Sequence, residues 1–365
     1  MTRRTVLTDV RAVAPAWVVA RLAVALGWAG ALLWTAVERD GVRSEAMGQG
    51  LFAWDGVFYR GIAEHGYRGE ALEALRFFPL FPLLGRAVAT VIGSPGLALL
   101  IVANVGALVG AALVRRLAIE CGLATEVATR AAWLLTLSPP AFALVWGYAE
   151  GLFVALAAGT LLALRRERWW WAAGLGALAG CTRPTGVLLA LAALVAASAG
   201  LRRIAVGELP ARAAAVAGPA LGALAYLWWV GREYGDSQVP VRLQDGLRGG
   251  TANPIVRVAE AGVDLAKLDV HGLHFPFAVV LLVLVVVAAR RLPAVLSVYA
   301  GATVLLSLAA NNLNSSERYA LGAVPLFIAL AIVTSERRRR ALALAVSGAG
   351  LVALTALAWL QIYVP

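Results

Sequence analysis

Long stretches without a single charged side chain constrain this sequence more than any other feature. Residues 87–114, 131–149, 184–201, 213–231, 292–316 and 341–360 are each uncharged from end to end. A helix that crosses the hydrocarbon layer of a membrane needs about 20 mostly apolar residues. Their recurrence predicts an all-α polytopic membrane protein. Only helices and closed barrels satisfy every backbone hydrogen bond in lipid, and no alternating strand pattern is present to build a barrel. Composition agrees. Of the 365 residues, 61% are hydrophobic and 15% charged, against about 25% charged in a soluble domain. So few charges cannot cover a surface that faces water.

The net charge is +11, which elsewhere would point to a nucleic-acid partner. Here the basic residues, all arginine except Lys267, gather between the apolar stretches. The clusters are Arg3, Arg4 and Arg11; Arg115 and Arg116; Arg165, Arg166 and Arg168; Arg202 and Arg203; Arg290 and Arg291; and Arg337 to Arg340. Cytoplasmic turns carry this pattern under the positive-inside rule. No basic patch interleaved with aromatics appears, so no nucleic-acid partner is expected.

Threading the chain between these clusters predicts about eleven spans and a cytoplasmic N-terminus. The expected spans are 14–37, 95–114, 131–148, 151–164, 169–182, 185–201, 213–230, 273–289, 293–310, 319–334 and 341–362. They form a single transmembrane domain over 1–365, with long outer loops at about 38–94 and 232–272. Residues 77–92, interrupted by Pro79, Pro82 and Arg86, are expected as a short re-entrant or interfacial helix. The Arg-rich start is expected to lead into a retained first span rather than a cleaved signal. Trp169 to Trp171 and Trp228-Trp229 fall at span ends, as an interfacial belt requires. Cys121 and Cys181 are placed near opposite sides, so no disulfide is expected.

On this map the groups capable of chemistry collect on the non-cytoplasmic side. Asp55 lies between Trp54 and Tyr59 in an aromatic segment. A partly desolvated carboxylate there suits a general base, or it caps a helix starting at Gly56. Glu150 sits where two uncharged runs meet, either as a functional acid or as a first-turn helix residue. Arg183 is the single charge between 169 and 201, and Arg318 is a second outer-side arginine. Both suit forked hydrogen bonds to an anion such as phosphate, or contact with lipid headgroups. His271 and His274 are spaced i, i+3 but lack a visible third ligand, so no metal site is expected.

Several segments together carry a family resemblance. They are Trp54-Asp55 with Tyr59, IAEHGY at 62–67, FFPLFPLL at 77–84, Tyr148-Ala149-Glu150, LAGCTRPTG at 178–186 and SERYALGAVP at 316–325. In order and content they resemble the PIG-V-like mannosyltransferases of the GT-C class of membrane glycosyltransferases. The Arg-rich, almost Lys-free composition points to a bacterial branch, in the cell membrane. The resemblance implies a GT-C-like bundle and an inverting transfer of mannose from a polyprenyl-phosphate-mannose donor to a glycan or glycolipid acceptor on the extracytoplasmic face. It implies Asp55 as the base, Glu150 as an orienting acid, and Arg183 and Arg318 on the leaving phosphate. Trp54, Tyr59, His65 and Tyr148 would line the sugar site. No metal or other cofactor is implied; the partners are the donor, the acceptor and membrane lipids. Asp55 is followed by Gly56, so the paired-acid signature of other GT-C members is absent. A transporter or flippase for a lipid-linked sugar is the competing class. It would place polar groups near the bilayer midplane rather than at one face.

Overall fold

The computed structural model describes residues 3–38, 41–199 and 205–365. Arg202 and Arg203 lie outside the described residues, as do the side chains of Arg3, Arg4 and His271. In chain order the helices are α1 (Arg3–Glu38), α2 (Glu45–Gln49), α3 (Asp55–His65), α4 (Leu80–Ile92), α5 (Pro95–Glu120), α6 (Thr125–Leu137), α7 (Glu150–Arg165), α8 (Trp169–Thr182) and α9 (Leu189–Ser198). There follow α10 (Leu209–Tyr234), α11 (Val239–Arg248), α12 (Pro254–Ala266), α13 (Phe275–Arg291), α14 (Ala294–Leu308), α15 (Ser316–Ala320), α16 (Pro325–Val333) and α17 (Arg337–Trp359). Among the described residues the β content is one isolated bridge, Thr251 to Ala310.

The chain is a multi-span, all-α membrane protein. Five helical stretches among the described residues are long and apolar enough to cross a bilayer: Thr5–Glu38, Pro95–Glu120, Val206–Tyr234, Gly272–Arg291 and Arg337–Trp359. Leu80–Ile92, Pro184–Ser198 and Ala294–Leu308 are shorter apolar helices. Helix length therefore does not by itself give eleven crossings. The expected outer segment 232–272 is not plain loop, since it carries α11 and α12.

Two of the expected spans are broken. The stretch 131–148 stops being α-helical at Leu137, and Pro139–Leu144 continues as a tight 3-10 helix. Proline lacks the N–H that the helix ladder needs and pushes the preceding residue out of the helical region; Ser138 accordingly has ψ 149°. The stretch 319–334 is split between α15 and α16, which restarts at Pro325. A half-buried polar cluster caps the end of the 3-10 helix at Pro139–Leu144. Arg21 donates from Nε (3.0 Å) and Nη2 (2.7 Å) to Asn104 Oδ1, and from Nη2 to Leu144 O (3.0 Å). Asn104 Nδ2 in turn donates to Val145 O at 2.9 Å. Carbonyls left open where the 3-10 helix ends thus find donors inside the bundle, as lipid-embedded backbone demands.

Glycines set the closest helix contacts. A Cβ at Gly180 would collide with Pro219 O, and one at Gly222 with Ala177 O, so α8 and α10 touch backbone to backbone. Such small-residue seams replace the hydrophobic effect as the source of cohesion in lipid. Gly151 meets Ala103 O of α5 in the same way. That contact clamps the first turn of α7 and with it Glu150.

The bundle has two chemically distinct ends. At one, Asp9 pairs with Arg115 and, at 2.7 Å, with Arg116, while Arg166 pairs with Glu120. At the other, the connection after α1 is stapled to the far end of α17. Trp54 Nε1 donates to Ala358 O (2.9 Å), Trp359 Nε1 donates to Gly50 O (2.9 Å), and Ser44 Oγ donates to Trp359 O.

Candidate active site

Asp55 is the first residue of α3. The preceding Trp54 adopts φ 60°, a left-handed conformation uncommon for a bulky residue. Two hydrogen bonds hold that turn: Trp54 N–H to Gln49 Oε1 at 3.1 Å, and the indole bond to Ala358. Trp54, not Asp55, is the cap residue of the helix. The Asp55 side chain is 28% exposed and lies against Arg318. The carboxylate is thus partly open and faces a guanidinium, rather than being desolvated by its aromatic neighbours alone.

Glu150, Arg183 and Arg318 are buried, at 3%, 8% and 4% exposure. Glu150 Oε1 pairs with Arg183 Nη1 and lies 3.4 Å from Arg318 Nε. Arg318 Nη1 is 2.6 Å from Asp55 Oδ2. The four groups therefore form a chain, Asp55–Arg318–Glu150–Arg183, drawn from four separate parts of the sequence. Proximity of charge is not matched by hydrogen bonding. Arg318 Nε and Nη1 and Glu150 Oε2 are buried without a hydrogen-bond partner. Buried donors of this kind are expensive unless something satisfies them. Burial works against the charge on Arg318, but Asp55 and then Glu150 outweigh it and hold its pKa well above the usual arginine value. The Tyr59 hydroxyl is pushed up by burial and then by Glu150, so it stays protonated at physiological pH.

These groups open onto a cavity of about 750 Å³. Trp54, Asp55, Tyr59, Arg183 and Arg318 line it. One wall is aromatic, built by Phe58, Phe77 and Phe78. Phe77 stacks on Phe58 at 4.9 Å and meets Tyr59 edge-on at 5.0 Å. The lining also has a polar part that includes Gln244, Asn312 and Asn314. Sequence reasoning missed Arg248, at the end of α11. It lines the cavity, its Nη2 has no hydrogen-bond partner, and its guanidinium lies 4.5 Å from the Tyr319 ring centre. Arg183 and Arg318 lie 5.0 Å and 5.6 Å from the same ring. Three guanidinium groups thus converge on one half-buried tyrosine.

Two expected lining residues sit elsewhere. His65 ends α3, is largely exposed, and lies 3.1 Å from Glu70 rather than at the cavity. Tyr148 is fully buried beneath the site. Its hydroxyl donates to Ala53 O (3.0 Å), and its ring supports Arg318 at 5.1 Å. Behind α15, His274 Nδ1 lies 2.6 Å from Glu317 Oε1, and the Tyr363 hydroxyl donates to Glu317 Oε2 (3.2 Å). This buried trio anchors the helix that carries Arg318. Among the described residues no group of three or more His, Cys, Asp and Glu is placed to hold a metal ion.

Residues 35–200 match the family model Mannosyltransferase (PIG-V). The PIG-V match contains Asp55, Glu150 and Arg183; Arg248 and Arg318 lie beyond it. No curated protein matches the chain. Among solved structures, the archaeal oligosaccharyltransferase AglB from Archaeoglobus fulgidus, in complex with an inhibitory peptide and a dolichol-phosphate, is 14% identical with a TM-score of 0.47. That match covers 96% of this chain and 56% of the other. The Archaeoglobus fulgidus oligosaccharyltransferase with zinc and sulfate is 15% identical with a TM-score of 0.48, covering 95% and 53%. The chain spans about half the length of the solved structures it matches.

Proposed function

We propose that this protein is an inverting glycosyltransferase. It moves a mannosyl residue from polyprenyl-phosphate-mannose to a glycan or glycolipid acceptor on the extracytoplasmic face of a bacterial cell membrane. The observation that carries the reading is the Asp55–Arg318–Glu150–Arg183 chain at the floor of one amphipathic cavity. The PIG-V match over residues 35–200 supports the sugar and the class of reaction.

In this mechanism Asp55 takes the proton of the acceptor hydroxyl. The acceptor oxygen attacks the anomeric carbon from the face opposite the phosphate. The bond from that carbon to the phosphate oxygen breaks, and the lipid phosphate leaves with the electron pair. Arg183 and Arg318 receive the developing negative charge, the kind of preorganised stabilisation that lowers such barriers most. The unpartnered N–H groups of Arg318 are available for this contact. A phosphate taken up by Arg318 competes with Asp55 for the guanidinium, freeing the carboxylate to accept a proton. Glu150 keeps both arginines in place, and the aromatic wall from Phe58 to Phe78 receives the first isoprene units. The whole chain acts as one catalytic domain with no metal or other cofactor.

The test is Asp55→Asn, which keeps shape and removes the base. General-base catalysis contributes about 10²–10⁴-fold, so transfer from labelled polyprenyl-phosphate-mannose by purified protein should fall by at least ~100-fold while donor binding persists. Transfer at the wild-type rate would remove Asp55 from the mechanism.

A further inference from the structure

A second cavity, of about 390 Å³, lies between the N-terminal parts of α6 and α17. Thr125, Glu126, Thr129, Arg130 and Trp133 line it from α6, and Arg340 and Leu344 from α17. The α6 residues recur at intervals of three and four, so they form one helix face. This cavity is remote from the candidate active site. Gln361, just past the end of α17, lines the active-site cavity, whereas Arg340 is near the start of α17. Twenty-one residues of mostly helical rise separate them by roughly 30 Å.

Arg130 is 6% exposed. Its Nε donates to Ala331 O at 3.2 Å, and neither Nη nitrogen has a hydrogen-bond partner among the described residues. Arg340, exposed at the rim, makes no ion pair among the described residues, although its neighbour Arg339 pairs with Glu336. The lining carries two guanidinium groups and one carboxylate, the exposed Glu126, so it is net positive. Thr129 Oγ1 accepts from Arg115 Nε (3.0 Å) and keeps its own proton to donate. The first turns of α6 and α17 add the positive ends of two helix dipoles. A buried arginine with two idle donors, beside a second arginine and a hydroxyl, fits a tetrahedral oxyanion. Trp133 and Leu344 give the same cavity an apolar side.

We propose that this cavity binds a phosphate group, presented by an anionic lipid headgroup or as free phosphate, at the end of the bundle away from the candidate active site. Arg130 and Arg340 grip the phosphate oxygens, and Thr129 donates a third hydrogen bond. The site is independent of the transfer chemistry, so its test does not use activity.

The experiment measures the thermal midpoint of the detergent-purified full chain with added phosphatidylglycerol, phosphatidylcholine or inorganic phosphate. Phosphatidylglycerol should raise the midpoint by about 1–2 °C over phosphatidylcholine, the shift that roughly 1 kcal/mol produces in a chain of 365 residues. Arg130→Gln and Arg340→Gln should each remove that difference. A shift with inorganic phosphate but not with the lipid assigns the site to the free anion. No shift with either phosphate source, or an undiminished shift in both variants, overturns the proposal. Should Arg130→Gln fail to fold, the exposed Arg340→Gln decides alone.

Discussion

Arg318 sits between two carboxylates and over the Tyr148 ring, and its Nε and Nη1 are in ionic contact yet without a hydrogen bond. Arg248 reaches Tyr319, whose ring Arg318 also approaches, from a different segment and has an idle donor of its own. A hydrogen bond to a charged group is worth about 1.5–3 kcal/mol. Arg248→Gln should therefore raise the KM for the lipid-phosphate donor roughly 10–100-fold, with a smaller change in kcat. An unchanged KM would remove Arg248 from the donor site. Asp55, Glu150 and Arg183 were legible in the sequence because each is a lone charge beside an uncharged run, and Arg318 because it is an arginine on the side where arginines are few. Arg248 was not, because α11 is short and amphipathic, and Arg242, Asp245 and Arg248 look alike along it. His65 was misplaced for a related reason. It is ten residues from Asp55 on one helix, so about 15 Å away along the axis, and nearness in a motif does not bring it to the same cavity.

The α8–α10 seam holds Arg183 where it can meet Glu150, because Arg183 follows directly on the last turn of α8. The seam tolerates no side chain at Gly180 or Gly222, where a Cβ would strike the opposing backbone. Gly222→Val should force these helices apart, lowering the thermal midpoint and reducing transfer together. Gly174→Ala, on the same helix as Gly180 but with open space around its Cβ, should leave both unchanged. A normal midpoint in Gly222→Val would mean the seam is looser than the structure shows. The apolar runs were readable as helices, and so was the short helix α4 between the first loop and α5. The interruptions at Pro139 and Pro325 were not taken as breaks. An apolar run containing proline is still long enough on paper to cross a bilayer, whereas the lost N–H ends the helix early.

Among the described residues, the Asp9–Arg115–Arg116 and Arg166–Glu120 pairs lie at the end of the bundle away from the site residues, which makes sidedness a single question for the whole chain. Single cysteines placed at Gly48 and at Gly207, both exposed with open space around a Cβ, in a Cys121→Ser, Cys181→Ser background, should react from opposite sides of intact cells with a membrane-impermeant thiol reagent. Position 48 should react from outside and position 207 only after permeabilisation. Reaction of both from one side would overturn the topology. The tryptophan staple adds a constraint of another kind, on biogenesis. Trp54 and its partner Ala358 are separated by 304 residues. At about 5–20 residues per second, a ribosome takes roughly 15–60 s to travel from one to the other. For all that time the turn that presents Asp55 is held only by its local bond to Gln49. The pocket is finished only when the last helix enters the membrane, and a chain stalled before α17 would insert most of its spans yet have no fixed position for its proposed base.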